Sequence, residues 1–432
     1  MKRNINKVLR YHLPIPLRII RRAFISLFSL FLLPLYYCIG LLPRNKKLWV
    51  FCSWMGQRYS DNSRLFFEYV SQHCPEIRAV WLSKNRDVVV QVRGKGLPAY
   101  PVRSLRSLAF LLRAGKIFST TGGEIPLFFC RGAEYYALWH GMPLKRILED
   151  DRHSGGSGAH GSFMKLYVRT ARKLFPWKSL TDQKNLYTVT NAEFFVPFLR
   201  TAFGLPDGRI LRTGSPRCDA LFHPHTERLI ERIHGQFPGN KVILYMPTFR
   251  TAEWTGEVFN PFDEKYGFDM DEFLAALERH NRVLVYKPQF YDARFMQTVR
   301  HKYPETLSRF ISVGDADYDE LYNFVGQVDM LMTDYSSIYF DFIATGKPVV
   351  LRPFDYEDDL TYARAHYFDY WHNMEGEKAR SWQEFYQILD AGTYRPVSDV
   401  AWHKFAEYVD GECCKKLYGK IVDEDCILQD CK

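Results

Sequence analysis

The stretch LMTDYSSIYFDFIATGKPVVLRPF, residues 331–354, decides the fold class of this chain. An apolar run ends at Asp334, and Ser336 and Ser337 then begin a helix-like segment that Gly346 ends before a second apolar run. Serine is a preferred helix N-cap and glycine a preferred helix stop. The stretch therefore predicts a strand, a helix and a second strand, which is the repeating unit of a parallel α/β sheet.

Short apolar runs and helix-like segments alternate along most of the chain in two series. The first series comprises LWVFCSW (48–54), IRAVWLS (77–83), KIFSTT (116–121), EYYALWH (134–140), LYTVTN (186–191) and RILRTG (209–214). The second comprises KVILYMP (241–247), RVLVYKP (282–288), RFISVG (309–314), VDMLMTD (328–334) and PVVLRPF (348–354). Amphipathic segments such as DMDEFLAALERH (269–280) lie between the runs. Because strands buried on both faces read as nearly continuous apolar runs, we predict two doubly wound, Rossmann-like parallel sheets.

The length of 432 residues also indicates more than one domain, since a single hydrophobic core stops growing near ~250–300 residues. A composition of 47% apolar and 25% charged residues is that of a globular protein, and it excludes a disordered or fibrous chain. We predict four parts: a basic and apolar membrane-anchoring segment (1–46), an N-terminal Rossmann-like domain (47–235), a C-terminal Rossmann-like domain (236–390) and a C-terminal helical tail (391–432).

The formal net charge of +9 is concentrated at the N-terminus. Residues 1–47 contain ten Lys or Arg and no Asp or Glu, so the remaining 385 residues sum to −1. A protein that binds nucleic acid needs a basic surface on its folded body. The charge distribution therefore excludes nucleic acid as a partner and indicates a basic N-terminal membrane contact.

The segment AFISLFSLFLLPLYYCIGLLP (23–43) is uncharged and long enough to cross a bilayer, which needs about 20 apolar residues. Basic residues flank it on both sides, and Pro34 would kink a helix in its middle. We therefore expect a peripheral or monotopic anchor at the cytoplasmic membrane rather than a spanning helix, with the catalytic domains on the cytoplasmic face. Nine scattered cysteines without a CxxC pair fit a reducing compartment.

Ligands bind at the carboxyl ends of strands in sheets of this kind, so the residues that follow each run are the candidates for a site. His140 follows one run and is succeeded by Gly141, Met142 and Pro143. Imidazole titrates near neutrality and is the usual general base. By itself, this motif fits a catalytic base and a hydrogen-bonded turn residue equally well.

Candidate donor-binding residues follow several other predicted strands. They are Gly214, Pro216, Arg217, Pro247, Thr248, Arg250 and Lys287. The guanidinium of Arg250 suits phosphate, and Lys287 supplies a second cation. Arg217 fits either a cleft residue or a surface ion pair. The segment HSGGSGAHGS (153–162) fits either a mobile lid or an inert loop.

The helix that begins at Ser336 and Ser337 is a candidate pyrophosphate site, because its first N–H groups have no partner within the helix. Asp334 and Asp341 fit either contact with a polyol hydroxyl or support of the strand and helix. We count Asp341 with His140 as catalytic candidates. No cluster of carboxylates suggests a tightly held metal, so we predict no cofactor and leave divalent metal dependence open.

Together these motifs resemble the CDP-glycerol:poly(glycerophosphate) glycerophosphotransferases, which include teichoic acid and capsule polymerases and primases. The resemblance rests on YSDNSRLFFEYV (59–70), ALWHGMPLKRILEDD (137–151), TGSPRCDALF (213–222), YMPTFR (245–250) and LMTDYSSIYFDFIATGKPVVLRPFDYE (331–357). It implies a GT-B fold with the active site in a cleft between two Rossmann-like domains. The N-terminal domain would hold the acceptor and the C-terminal domain a CDP-alditol donor.

By this resemblance His140 is the family's base, and Arg250, Ser336 and Ser337 fall at its donor-phosphate contacts. One residue departs from the family pattern. Gln289 stands in YKPQF near the place where the family usually shows a histidine. Glutamine can donate a hydrogen bond to phosphate but cannot act as an acid. What replaces the histidine is therefore open.

The resemblance predicts a membrane-associated transferase that moves a polyol phosphate, most simply glycerol phosphate, from a CDP-alditol to an acceptor hydroxyl and releases CMP. The acceptor would be a lipid-linked glycan, a teichoic acid or a capsule polymer. Two alternatives remain: a GT-B glycosyltransferase that uses a nucleotide sugar, and a non-catalytic, membrane-tethered polymer-binding protein. The alditol, the number of units added and the oligomeric state stay open.

Overall fold

The computed structural model describes residues 15–151, 170, 172, 174–248, 260–288, 309–362 and 364–430. In this part of the chain, two parallel β-sheets carry helices on their faces. Every pair of neighbouring strands in both sheets is parallel. One buried apolar cluster takes side chains from both sheets, among them Val50 and Val242. The predicted α/β fold with two Rossmann-like sheets is confirmed.

The first sheet has seven strands in the order β3-β2-β1-β4-β5-β6-β7. Their bounds are Asn45–Cys52 (β1), Arg78–Ser83 (β2), Ala99–Pro101 (β3), Ala114–Ser119 (β4), Glu134–Ala137 (β5), Leu186–Thr190 (β6) and Ile210–Arg212 (β7). The strand order reverses between β1 and β4. In open parallel sheets, ligands bind beyond the carboxyl ends of the strands at such a reversal.

The second sheet has six strands in the order β10-β9-β8-β11-β12-β13. Their bounds are Lys241–Tyr245 (β8), Arg282–Tyr286 (β9), Phe310–Ser312 (β10), Met330–Thr333 (β11), Val349–Leu351 (β12) and Glu377–Lys378 (β13). Here the order reverses between β8 and β11. The strand–helix–strand unit predicted over 331–354 is present as β11, a helix and β12, and Gly346 ends the helical segment with a φ of +68°.

The helices connect the strands and cover both faces of each sheet. The α-helices span Ile15–Ile39, Asp61–His73, Arg86–Gly94, Leu105–Arg113, Val196–Phe203, Asp219–Phe222, Arg228–Gln236, Met270–Arg279, Leu321–Gln327, Ile338–Phe342, Tyr356–Tyr362, Tyr370–Asn373, Trp382–Ala391, Asp399–Ala406 and Cys413–Asp430. The helix predicted within 269–280 begins after Asp269, whose carboxylate accepts the N–H of Glu272 at 2.8 Å. Such a cap satisfies a backbone donor that the helix itself leaves unpaired.

The last helix returns the chain to the first sheet. Cys414, Leu417 and Ile421 are buried in the apolar cluster that contains Trp49 of β1. At the N-terminal end of this helix, the Asp219 carboxylate accepts the N–H groups of Cys413 and Cys414 at 2.7 and 2.9 Å. The segment predicted as a helical tail is therefore helical, and its end is part of the packing of the first sheet.

The helix Ile15–Ile39 contacts the first sheet's domain through its C-terminal end. The ring of Tyr36 lies 4.6 Å from that of Trp177, and the Arg131 guanidinium lies 4.5 Å from the Tyr36 ring. The residues of this segment that remain exposed are largely apolar; they include Leu27, Phe28, Leu30, Phe31, Leu35, Leu41 and Leu42. Among the described residues, no helix combines the length and the apolar character that crossing a membrane requires.

Candidate functional site

A cavity of about 940 Å³ lies where the carboxyl ends of the two sheets meet. Six of the predicted site residues line it: His140, Arg217, Thr248, Lys287, Ser336 and Ser337. Two others, Arg250 and Gln289, lie outside the described residues, as does the segment 153–162. Residues from both sheets therefore share one cleft, as parallel sheets with facing carboxyl edges require.

His140 follows β5 on a strained turn. The preceding residue, Trp139, has a φ of +56°, and Gly141 has a φ of +141°. A non-glycine residue at positive φ costs free energy and is concentrated at functional sites. A Cβ on Gly141 would lie 2.2 Å from the Ser337 hydroxyl oxygen, so only glycine permits this turn to approach the second sheet. The turn thus brings His140 to the donor side of the cleft.

The imidazole of His140 is held neutral. The pKa of His140 is lowered to about 4, because burial and the Arg217 and Arg364 charges together outweigh the opposing charge of Asp61. The rings of Trp139 and Trp54 lie 4.4 and 5.6 Å from the imidazole. Within the described part, Nδ1 is buried without a hydrogen-bond partner. A neutral imidazole in a dry aromatic pocket can accept a proton from a bound hydroxyl.

A buried ionic cluster lies directly behind the imidazole and joins the two sheets. Arg217 donates from Nη1 to Asp61 at 2.9 Å and from Nη2 to Asp341 at 2.6 Å. Asp61 in turn accepts the indole N–H of Trp54 at 3.0 Å and has a φ of +67°. Contacts therefore lead from the candidate base His140 through Trp54 and Asp61 to Arg217, whose partner Asp341 belongs to the second domain.

The structure does not place Asp341 where we predicted a catalytic residue. Its side chain is fully buried and absent from the cavity wall. Besides Arg217, its carboxylate accepts the Tyr322 hydroxyl at 2.5 Å and the Asn191 amide at 2.8 Å. The Cys218 thiol is a fourth buried donor, at 3.5 Å. These contacts fit the second reading that the sequence left open for Asp341, support of the strand and helix.

Arg217 is a cleft residue, the first of the two readings that the sequence left open. It borders the cavity, but both ends of its guanidinium are used by carboxylates and its side chain is buried. It therefore forms no surface ion pair. Arg217 forms a buried interdomain ion pair, because the turn after β7 that carries it packs against the second domain rather than facing solvent.

Asp334 organises the donor edge without entering the cavity. Its carboxylate accepts the Thr248 N–H at 2.8 Å, the Thr248 hydroxyl at 2.6 Å and the Tyr335 N–H at 2.6 Å. These bonds tie the end of β8 to the end of β11 at the reversal of strand order. They present Thr248 beside Ser336 and Ser337, whose hydroxyl groups border the cavity.

Three other predicted donor residues do not reach the cavity wall. Pro216 and Pro247 are buried beside residues that do. Gly214 has a φ of +75°, and a Cβ there would lie 2.5 Å from the Cys413 sulfur. Gly214 therefore makes room for the last helix and does not line the cavity. In these motifs Arg217 and Thr248, which follow the two prolines, line the cavity, while Gly214, Pro216 and Pro247 shape the turns.

Several cavity residues escaped the sequence-based prediction, among them Arg58, Asp61, Lys145 and Arg364. Asp61 and Lys145 lie inside quoted motifs, which could have suggested them. Lys145 donates to Asp359 of the second domain at 2.5 Å, and the two side chains are buried. Arg364 has no carboxylate partner among the residues that the structure describes, and its charge reaches His140. No local pattern marked Arg364.

Within the described residues, no group of three or more His, Cys, Asp or Glu is arranged to hold a metal ion. The charged groups of the cavity are instead cations or paired carboxylates. Together with the hydroxyl groups of Ser336 and Ser337, these cations suit an anionic ligand. The fold and the site thus define a two-domain α/β protein whose cleft suits an anionic ligand.

Comparisons with known proteins give the family. A sequence profile of the CDP-Glycerol:Poly(glycerophosphate) glycerophosphotransferase family matches residues 35–423. The chain belongs to this family and is an enzyme of the glycerophosphotransferase class. The match is longer than the region over which the motifs showed a resemblance, because it includes the final helices that close on the first sheet.

Two curated relatives are similar over most of the chain. The teichoic acid glycerol-phosphate transferase of Staphylococcus aureus (strain NCTC 8325 / PS 47) is 25% identical over 388 residues, which are 86% of this chain and 92% of that protein. The teichoic acid poly(glycerol phosphate) polymerase of Bacillus subtilis (strain 168) is 25% identical over 401 residues. That match covers 90% of this chain but only 50% of the polymerase.

Solved structures support the fold. A structure of the wall teichoic acid polymerase TagF superposes with a TM-score of 0.69 at 21% identity, covering 96% of this chain and 99% of that one. A second TagF structure gives a TM-score of 0.68 at 22% identity, with coverage of 90% and 91%. The two-sheet architecture is therefore shared with TagF.

Proposed function

We propose that this protein transfers glycerol phosphate from CDP-glycerol to a hydroxyl group of a polyol-phosphate or glycan acceptor and releases CMP. The observation that carries the proposal is the position of His140. Its neutral imidazole lines the same cavity as Ser337, on a strained turn whose next residue, Gly141, packs against the Ser337 hydroxyl. The base and the donor-phosphate contacts are thereby close enough to act on one reacting phosphorus.

The reaction needs one proton transfer and one exchange of P–O bonds. His140 takes the proton of the acceptor hydroxyl as its oxygen forms a bond to the β-phosphorus, which carries the glycerol. The bond from that phosphorus to the bridging oxygen breaks, and CMP leaves with the electron pair. Phosphoryl-type transfer depends mainly on positioning and on stabilisation of charge.

The donor phosphates would lie at the edge formed by β8 and β11. Ser336 and Ser337 can donate hydroxyl hydrogen bonds there, and Arg364 supplies a positive charge that no described carboxylate neutralises. Arg364 is thus a candidate to stabilise the charge of the leaving CMP. A histidine would otherwise assist its departure, but in this chain Gln289 stands near the place of the family histidine. One TagF structure was soaked with CDPG, which supports CDP-glycerol as the donor.

The acceptor side and the membrane contact belong to the same proposal. Teichoic acid is the acceptor class that the relatives' names support, and a capsule polymer has the same chemistry. We place the enzyme on the cytoplasmic membrane surface through the exposed apolar residues of its N-terminal helix. The basic residues that flank this segment would contact anionic headgroups.

The activity is tested by CMP release from the purified full chain in detergent. CDP-glycerol and CDP-ribitol are each offered with and without a lipid-linked polyol-phosphate acceptor. We expect acceptor-dependent CMP with CDP-glycerol. His140→Ala should lower the rate by about 10²- to 10⁴-fold, the usual contribution of a general base, with an unchanged unfolding midpoint.

Other results of this assay would replace the proposal. CMP from CDP-ribitol alone would name a different alditol. Turnover of a nucleotide sugar would select the glycosyltransferase alternative. Donor binding without any turnover would indicate a polymer-binding protein. Near-normal activity of His140→Ala would remove His140 as the base.

The membrane contact is tested by co-sedimentation with vesicles that contain anionic lipid. Replacing exposed Phe31 by glutamate should release the protein from vesicles, because the charge opposes burial of the apolar face. Val90→Glu is the matched control, since Val90 is as exposed but lies on a different helix. Equal binding of both variants would contradict the assignment of this face.

A further inference from the structure

A single carboxylate at the cavity wall bridges two cations that belong to opposite sheets. Asp315 Oδ2 lies 2.9 Å from Arg58 Nη2, and its Oδ1 lies 3.0 Å from Lys287 Nζ. The Tyr318 hydroxyl donates to the same Oδ1 at 2.8 Å. All four residues line the cavity that contains His140. The carboxylate therefore occupies a position that presents three donors to one small anion.

The two cations reach this position by different routes. Arg58 follows β1, and its guanidinium lies 5.6 Å from the ring of Trp54, which in turn packs against His140. Lys287 follows β9 in the second sheet, and its backbone N–H donates to the Tyr245 carbonyl at 2.9 Å. A ligand held between them would contact both domains and would lie one aromatic ring away from the base.

This contact is exchangeable, in contrast to the buried ion pairs of the molecule. Asp315 and Arg58 expose 47% and 42% of their side chains, whereas Lys287 exposes 12%. Ion pairs with that exposure contribute little to stability, so an incoming anion can replace the carboxylate. A phosphate group carries equal or greater charge and offers more acceptor oxygens to a guanidinium and an ammonium group.

We propose that Arg58 and Lys287 form a phosphate-binding subsite across the cleft, and that Asp315 occupies it as an internal competitor until a substrate phosphate displaces it. The inference rests on the proposed function for the nature of the substrates. The ligand is a phosphate group of either the CDP-linked donor or the polyol-phosphate acceptor. Displacement of Asp315 would exchange an internal interdomain contact for one made through substrate.

The test uses the full-length protein with Asp315→Asn, Arg58→Ala and wild type, and inorganic pyrophosphate as the first probe. Asparagine keeps the shape of the side chain and removes the competing charge. A binding site that is freed from an internal competitor gains apparent affinity. We expect Asp315→Asn to bind pyrophosphate about threefold to tenfold more tightly and Arg58→Ala about tenfold more weakly.

The source of the phosphate is read from steady-state kinetics of the same variants. A change confined to the KM for CDP-glycerol assigns the subsite to the donor, and a change confined to the KM for the acceptor assigns it to the acceptor. Asp390→Asn is the matched control, because Asp390 also bridges two basic side chains, Arg279 and His280, but on a remote surface. It should leave binding and both KM values unchanged.

Unchanged pyrophosphate binding in Asp315→Asn and Arg58→Ala, with normal unfolding midpoints, would overturn the inference. So would a failure of pyrophosphate to bind any of the proteins. The proposed function fails separately: if wild type releases no CMP while Asp315→Asn still tightens pyrophosphate binding, the subsite stands and the donor or reaction must be reassigned.

Discussion

Of the ionic contacts that connect the two domains in the described part of the chain, two clusters at the cavity differ in burial. The cluster of Arg217 with Asp61 and Asp341 is enclosed, with side chains that expose at most 8% of their surface. The cluster of Arg58 with Asp315 and Lys287 lies at the cavity wall and is partly solvated. Both use one charged group to bridge two partners of opposite sign.

The difference in solvation separates a permanent contact from an exchangeable one. A buried charge cannot lose a partner without leaving the other uncompensated in a medium of low polarity. A solvated charge can exchange its partner for water, salt or substrate at little cost. The enclosed cluster is therefore suited to fix His140 relative to the donor edge, and the solvated cluster is suited to respond to ligand.

The largest expected effect breaks the enclosed cluster. Asp341→Asn removes one of the two charges that compensate Arg217, and we expect a loss of about 3–5 kcal/mol in the free energy of unfolding. Urea denaturation followed by circular dichroism measures it. Asp390→Asn, an exposed carboxylate, serves as the control and should change little. A loss below about 1 kcal/mol for Asp341→Asn would show that the cluster is not structural.

The next effect concerns the pH dependence of stability beside the enclosed cluster. His140 has a pKa of about 4 in the folded protein, against 6.5 when unperturbed. Between these values the unfolded chain binds a proton that the folded chain rejects, so stability falls as pH decreases from 6.5 towards 4.

We expect this one residue to cost about 3 kcal/mol at pH 4 relative to pH 7, since each pKa unit corresponds to about 1.4 kcal/mol. His140→Gln should lose that part of the acid sensitivity while other groups titrate as before. Urea midpoints of both proteins at a series of pH values provide the measurement. Parallel curves for the two proteins would contradict the buried, neutral histidine.

A third experiment tests a cation that belongs to neither cluster. Arg364 faces the cavity without a described carboxylate partner, so it needs no displacement before it contacts phosphate. Arg364→Ala should lower kcat/KM about tenfold to a hundredfold, the value of one charge-assisted hydrogen bond. Arg364→Lys should restore part of it by returning the charge. Full activity of Arg364→Ala would exclude it from the reaction.

The smallest effect is expected at the solvated cluster. Asp315→Asn should change the free energy of unfolding by less than about 1 kcal/mol, and 1 M salt should abolish the difference, because the Debye length is then about 3 Å. The same salt should leave the deficit of Asp341→Asn nearly intact. Equal salt sensitivity of the two variants would remove the distinction between the clusters.

Most of the fold could be read from the sequence, since each core strand is a local apolar run. All eleven predicted runs overlap a strand, including LMT in β11 and VVL in β12. The strands β3 and β13 were missed. They are edge strands of three and two residues, AYP and EK, which have no apolar pattern of their own. Their pairing depends on a neighbour rather than on composition.

The sequence predicted the site residues that follow strands, but it did not predict which charged residues form ion pairs with one another. His140, Thr248, Ser336 and Ser337 were predicted from strand ends and line the cavity. The partners of Arg217 lie 156 and 124 residues away, so no local pattern could show that its charge is already used. The same holds for Asp341, which accepts from Asn191, Arg217 and Cys218 across more than 120 residues of sequence.

The sequence by itself determined the elements, their parallel order and the hydroxyl and imidazole groups at the strand ends, because these follow from local patterns of apolar residues, caps and turns. Only the tertiary structure decided which charges face substrate and which face each other. Which charges pair with each other depends on which side chains become buried when the two domains pack together. This packing makes Arg217 and Asp341 an internal support and leaves Arg58, Lys287 and Arg364 at the cavity.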